Sequence, residues 1–322
     1  MLRRLAVVGG AGFVGSHFVD KLLDDPATAS VTVYDNFSSG RRWHLAHHTD
    51  DPRLQVVEGD VLDVALLTDA LADCDAVIHL ASNPDIARAM IEPGIDFDQG
   101  TALTNNVVEA CRLANVKHLV YASGSGVYGD LGDIEPDENF GPLLPISTYG
   151  ASKLAGEALI SSYCYMFGLS ATCCRFGNVV GPRQTHGVGF DFIRSLLRDP
   201  TQLTVLGDGM QSKSYIHVHD VVAAVLTAVR HRARMFEIYN VATGDYITVR
   251  EIADLAIELV GDSEPEITYT GGNRGWRGDV PIVRLDTKRI RALGWTNHLS
   301  SREAIRASLE SLLSDARMER LG

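Results

Sequence analysis

Long hydrophobic runs are missing from this sequence of 322 residues, whose apolar stretches stop after a handful of positions. A membrane-spanning helix needs about 20 apolar residues in a row, so a spanning role is excluded. The short apolar run at 5–8 halts at Gly9-Gly10 and reads as a first strand rather than as a signal sequence. Basic charge is scarce too: 29 Lys and Arg stand against 41 Asp and Glu, a formal net charge of −12. That deficit excludes the broad cationic face required by nucleic acid or an anionic membrane surface. Cysteine is limited to Cys74, Cys111, Cys164, Cys173 and Cys174, an odd set without CxxC spacing. Such a set does not make a disulfide framework, and buried thiols in a reducing cytoplasm are expected.

What is present is ordinary globular chemistry, 45% hydrophobic and 22% charged, without repeats or low-complexity tracts. Short β-branched runs at 5–8, 31–34, 54–57, 76–80 and 117–121 alternate with amphipathic stretches such as 14–23 and 103–114. This is the pattern of βαβ units, and near-continuous apolar strands imply a parallel sheet covered on both faces. The expected class is α/β, a Rossmann-type doubly wound parallel sheet with a smaller, discontinuous C-terminal substrate lobe. A helix over 148–168 capped by Ser147 and a strand over 170–176 follow. Residues 183–213 and 261–279 read as irregular, and 220–230 and 249–260 as helical. Residues 1–180 therefore form the expected nucleotide-binding domain, with 215–245 returning to it, while 181–214 and 246–322 form the second lobe.

Gly9-Gly10-Ala11-Gly12-Phe13-Val14-Gly15 joins the first strand to the first helix. Glycine here permits a tight turn and lets backbone N–H groups and the helix N-terminus approach a pyrophosphate. Asp35 ends the second strand about 20 residues later, where a carboxylate accepts from ribose hydroxyls. It also repels the additional phosphate of NADP, so NAD is the expected cofactor, with Arg41-Arg42 the argument for NADP. Asp60 ends the third strand, either near the adenine or as a turn aspartate. Tyr149 and Lys153 stand four residues apart and so share a helix face. An adjacent ammonium favours phenolate, which points to Tyr149 as a general base near neutral pH.

With these residues in place the chain resembles the NAD-dependent epimerase/dehydratase family of extended short-chain dehydrogenases. The matching stretches are 8–17, Tyr34-Asp35-Asn36, 77–81, Val127-Tyr128-Gly129, 149–153, 175–182, 207–220 and Gly278-Asp279. The resemblance implies that Asn36, Val61, Leu80 and Ala81 border the cofactor and that Lys153 also binds the nicotinamide ribose. It implies too that Asn178, Lys213 and one of Arg277 or Arg274 meet a nucleotide-sugar diphosphate. The function it implies is NDP-sugar epimerisation, foremost UDP-hexose 4-epimerisation, in a cytoplasmic homodimer. A ketoreductase or dehydrogenase, a decarboxylase or dehydratase, and a non-catalytic NAD-binding protein are the alternatives.

The chain departs from the family at several places, among them Gly100 near the usual Asn of the nicotinamide-side helix and Lys213 where an arginine is usual. Where the family has Ser or Thr beside the reacting hydroxyl, this sequence has Gly124, flanked by Ser123 and Ser125, with Ser125 the preferred substitute. Where its dehydratases carry Asp-Glu, and its decarboxylases a glutamate, this chain has Ser125-Gly126, which removes the acid that elimination needs. Trp276 replaces an arginine of the second phosphate site.

Other residues receive ordinary readings. His44, His47 and His48 beside Asp50-Asp51 read as a solvated loop, and no metal is expected. His217 and His219 read as packed histidines on one strand. The apolar stripes Val107, Val108, Cys111 and Leu154, Ala158, Leu159 suit either core packing or helix pairing across a dimer.

Overall fold

A computed structural model of the chain describes residues 2–83, 85–261, 264–318 and 320. The first half runs β1 (Arg4–Val8), α1 (Phe13–Leu23), β2 (Ser30–Asp35), β3 (Leu54–Glu58), α2 (Val64–Leu71), β4 (Ala76–His79), α3 (Leu103–Leu113) and β5 (His118–Gly124). It continues through α4 (Thr148–Phe167), β6 (Ser170–Phe176), β7 (Asn178–Val180), α5 (Val188–Arg198) and β8 (Gln202–Val205). The remainder is β9 (Ser212–Lys213), β10 (Tyr215–His217), α6 (Val218–Arg230), β11 (Phe236–Val241), β12 (Ile247–Thr248), α7 (Val249–Val260), β13 (Glu266–Tyr269), β14 (Ile282–Val283), α8 (Lys288–Arg291) and α9 (Ser301–Arg317).

Seven strands form one parallel sheet in the order β11-β6-β5-β4-β1-β2-β3. The order reverses at β1, which places the C-terminal ends of β1 and β4 at the crevice where such sheets bind ligands. Alternation along β1 shows why both faces are covered. Leu5 and Val7 join Phe18 and Val19 of α1 and Val221 and Val225 of α6 in one buried cluster. Ala6 and Val8 point the other way, into a cluster with Leu67 of α2, Val107 and Cys111 of α3 and Ile160 of α4. The apolar stripe of α3 is thus core packing within one chain.

Helix α4 begins where its sequence says it should: Ser147 Oγ accepts from the Gly150 N–H at 3.0 Å. It ends at Gly168, whose φ of 76° is the left-handed conformation that stops a helix. The segment 215–245 divides its loyalties. Strand β11 extends the main sheet and α6 covers it, whereas β10 pairs with β7. His219 lies in α6 rather than on a strand, and the ring of His217 accepts from its backbone N–H. Helices α5, α7 and α9 enclose a separate buried cluster containing Ile193, Ile252 and Leu309. Among the described residues no helix is long and apolar enough to cross a membrane.

A buried ion pair ties α4 to β6. Arg175 donates to both oxygens of Glu157, at 2.9 and 2.7 Å, and its third contact is the Tyr128 hydroxyl at 2.8 Å. Removing one partner leaves the other charge buried and uncompensated, at a cost of about 3–5 kcal/mol. Arg175→Met is therefore expected to lose stability of that order, read as a lowered urea midpoint, and an unchanged midpoint would contradict the pairing.

Candidate active site

The glycine turn is shaped by contacts that no side chain fits. A Cβ on Gly9, whose φ is 84°, would lie 2.7 Å from the Ala81 nitrogen, and one on Gly15 would lie 2.1 Å from the Gly9 oxygen. Gly12 is the N-cap of α1 and offers no side chain to the first-turn N–H groups of Phe13, Val14 and Gly15. These donors and the positive end of the helix dipole are left for an anion. Asp35 closes the turn from the far side, accepting from Ala11 N at 2.9 Å and Phe37 N at 2.8 Å. Burial raises the pKa of its carboxyl, and these two N–H groups oppose the rise.

The residues around the turn complete a nucleotide cradle. Asn36 donates to Asp60 at 3.0 Å, and the second Asp60 oxygen accepts from Leu62 N at 2.9 Å. Val61 is buried beside them. Leu80 and Ala81 both donate their N–H groups to Val8 O, at 2.9 and 3.0 Å, which folds the end of β4 against the glycines. Arg42 is drawn to Glu58, and Arg41 donates to Ser39 O at 3.2 Å. A backbone cradle with uncapped helix N–H groups and a fixed carboxylate fits a dinucleotide.

Lys153 and Tyr149 rise from α4 toward the same edge. Lys153 Nζ lies 5.4 Å from the Tyr149 ring centre and donates to Ala122 O at 2.9 Å. Burial depresses the Lys153 pKa to about 8 against the pull of the Asp96 carboxylate. The sequence reading of Tyr149 as a base tuned toward neutrality by Lys153 is corrected here. Burial pushes the phenol up to about 12; the Ser82 hydroxyl opposes the rise and Asp96 adds to it. Four-residue spacing puts the ammonium beside the ring but does not show how much water the fold removes.

The serines flanking Gly124 part company. Ser123 is buried, and its hydroxyl donates to Glu157 at 2.5 Å, inside the ion-pair network. Ser125 borders a shallow cleft with Tyr128, Leu131, Val280 and Arg284. In the second lobe Lys213 pairs with Asp279 at 2.6 Å, and Gly275 N donates to the other Asp279 oxygen at 3.1 Å. Arg274 reaches the Asp279 carbonyl and pairs with Asp130, whereas Arg277 is exposed. Asn178 opens β7, with its N–H bonded to Ser214 O at 2.9 Å.

Two features were not legible in the sequence. His44 is fully buried and bonded to Ala11 O at 2.8 Å, not solvated, and His47 and His48 converge on Asp20 at 2.9 and 3.0 Å rather than on Asp50 or Asp51. Asp96 is buried between Asn83, which donates to it at 2.8 Å, and Thr148, which donates at 2.7 Å. The sequence carries no motif for that link, because Asp96 is one of two aspartates, with Asp98, in a short stretch without a pattern.

This architecture has close counterparts. The UDP-glucose 4-epimerase of Mycolicibacterium smegmatis is 34% identical over 316 residues, 95% of this chain and 97% of that protein. A solved UDP-galactose 4-epimerase is 37% identical with a TM-score of 0.86, covering 97% of this chain and 99% of its own. A dTDP-glucose 4,6-dehydratase double mutant from Streptomyces venezuelae, solved with NAD bound, is 28% identical with a TM-score of 0.90, covering 99% of this chain and 100% of its own. Residues 5–242 match the family model described as NAD dependent epimerase/dehydratase. The chain, with its glycine cradle, Asp35 and the Tyr149/Lys153 pair, belongs to the NAD dependent epimerase/dehydratase family and takes NAD as its cofactor.

Proposed function

We propose that this protein is an NDP-sugar epimerase, foremost a UDP-hexose 4-epimerase. The observation that carries the reading is the pair of half-buried Tyr149 and buried Lys153 beside a stretch, Gly124-Ser125-Gly126, that holds no carboxylic acid. A hydroxyl proton can be taken and returned there, but no side chain of that stretch can protonate a leaving hydroxyl. The likeness to UDP-glucose and UDP-galactose 4-epimerases supports it. The likeness to a dTDP-glucose 4,6-dehydratase favours dehydration as the second reading, and the missing acid opposes it.

The nucleotide of the sugar would lie between the lobes, its diphosphate near Asn178 and the knot of Lys213, Arg274 and Asp279, with Arg277 at the rim. Lys213 contributes a point charge rather than an arginine fork. Bound NAD supplies the acceptor for hydride and a positive charge that favours the Tyr149 phenolate. Tyr149 Oη takes the proton of the sugar hydroxyl and later returns it, while Lys153 holds positive charge beside the ring in a site where water does not screen it. The five buried free cysteines support a cytoplasmic setting. A homodimer through α3 and α4 would cover the exposed Leu113, Tyr165 and Met166 at their ends.

With UDP-glucose or UDP-galactose, NMR is expected to show interconversion without accumulating NADH; sustained NADH production would indicate a dehydrogenase, and loss of water a dehydratase. Tyr149→Phe is expected to lose about 10²–10⁴-fold in kcat while retaining NAD, and an unchanged rate would remove Tyr149 as the base. Because burial lowers the Lys153 pKa from 10.5 to about 8, its charge disappears as pH rises through that value. Activity should therefore fall on the alkaline side of about 8, and a profile still rising above it would contradict a role for the ammonium.

A further inference from the structure

Gly124 ends β5 with an extended φ of −155°, and a Cβ built there meets nothing nearer than the Phe176 carbonyl oxygen at 4.0 Å. Space for a side chain therefore exists where none is present. Ser123 is committed to Glu157 and Ser125 opens on the cleft beside Leu131 and Val280. Another hydroxyl stands at the same edge of the sheet. Ser82 follows β4, the neighbour of β5, and its Oγ is buried with no geometrically complete hydrogen bond among the described residues. It approaches the Tyr149 phenol closely enough to favour the ionised form.

The loop carrying Ser82 is fastened to the helix carrying Tyr149. Asn83 N donates to Gln99 O at 3.2 Å and Asn83 Nδ2 to one Asp96 oxygen at 2.8 Å, while Thr148 Oγ1 donates to the other at 2.7 Å. The residue after Ser82 and the residue before Tyr149 thus grip the same buried carboxylate. Both Asn83 and Asp96 are less than a tenth exposed, so the link is shielded from competing water.

We propose that Ser82 is the second hydroxyl of the catalytic site, donating to the oxygen of the reacting sugar hydroxyl while Tyr149 takes its proton, with Asn83, Asp96 and Thr148 as positioning residues. The inference rests on the epimerase reading above. No covalent bond to Ser82 forms or breaks: the substrate proton passes to the Tyr149 phenolate, and the Ser82 O–H keeps its own proton and strengthens its hydrogen bond as charge grows on the sugar oxygen. A buried hydroxyl whose hydrogen bond is geometrically incomplete gains a full partner in this contact.

The test uses the NAD-loaded protein with UDP-glucose and UDP-galactose. Ser82→Ala is expected to lower kcat about 10²-fold with KM changed little, and adding Gly124→Ser in that background should recover most of the loss. A second readout needs no turnover: phenolate absorbance against pH, with Tyr149→Phe as the blank, should show Tyr149 ionising at higher pH in Ser82→Ala. Equal urea midpoints and NAD content for Ser82→Ala and wild type exclude misfolding as the cause. A wild-type kcat in Ser82→Ala, in a protein whose Tyr149→Phe variant is inactive, would overturn the role of Ser82 alone. An inert wild type would overturn the epimerase reading instead, and an unshifted Tyr149 titration would then overturn the Ser82 contact as well.

Discussion

The close approach of bare backbone at Gly9 is the constraint on which the site depends. The Gly9 Cα faces the Ala81 nitrogen at a spacing a Cβ would reduce to 2.7 Å, so the cofactor turn and the segment after β4 can pack only as naked chain. That packing has two consequences. It leaves the N–H groups of α1 open toward a pyrophosphate, and it carries Ala81, Ser82 and Asn83 across the sheet edge toward α4. The glycine turn and the loop that carries Ser82 and Asn83 are thereby joined by one close backbone contact.

The second organising element is buried charge. Glu157 and Arg175 fix the inner face of α4 against β6, and Asp96 fixes its N-terminus through Thr148. Between these anchors Tyr149 and Lys153 have little freedom to move. Their burial sets the chemistry: it raises the phenol to about 12 and lowers the ammonium to about 8. Bound NAD would add positive charge beside Tyr149 to that of Lys153 and would favour the phenolate.

Much of this was legible in the sequence because it follows from periodicity and caps. The parallel strands, the α4 boundaries at Ser147 and Gly168, the glycine turn and Asp35 are local patterns with local causes. The α3 stripe Val107, Val108, Cys111 was legible as apolar but not as core, since only the fold shows what covers it. His44 lies in a polar stretch and becomes buried because the turn after Asp35 folds it onto Ala11. Ser82 and Asp96 lie in segments without repeat or pattern, and their meaning comes from partners far along the chain. The tyrosine pKa escaped for the same reason: spacing gives neighbours, whereas desolvation depends on the whole packed interior.

The central claim is that one hydrogen leaves a sugar carbon and returns to it from the other side within a single enzyme site. Mass spectrometry of the product formed from UDP-galactose deuterated at carbon 4 tests this most directly. The account predicts UDP-glucose that retains the deuterium at that carbon. Product in which it has been replaced by solvent hydrogen would contradict the account.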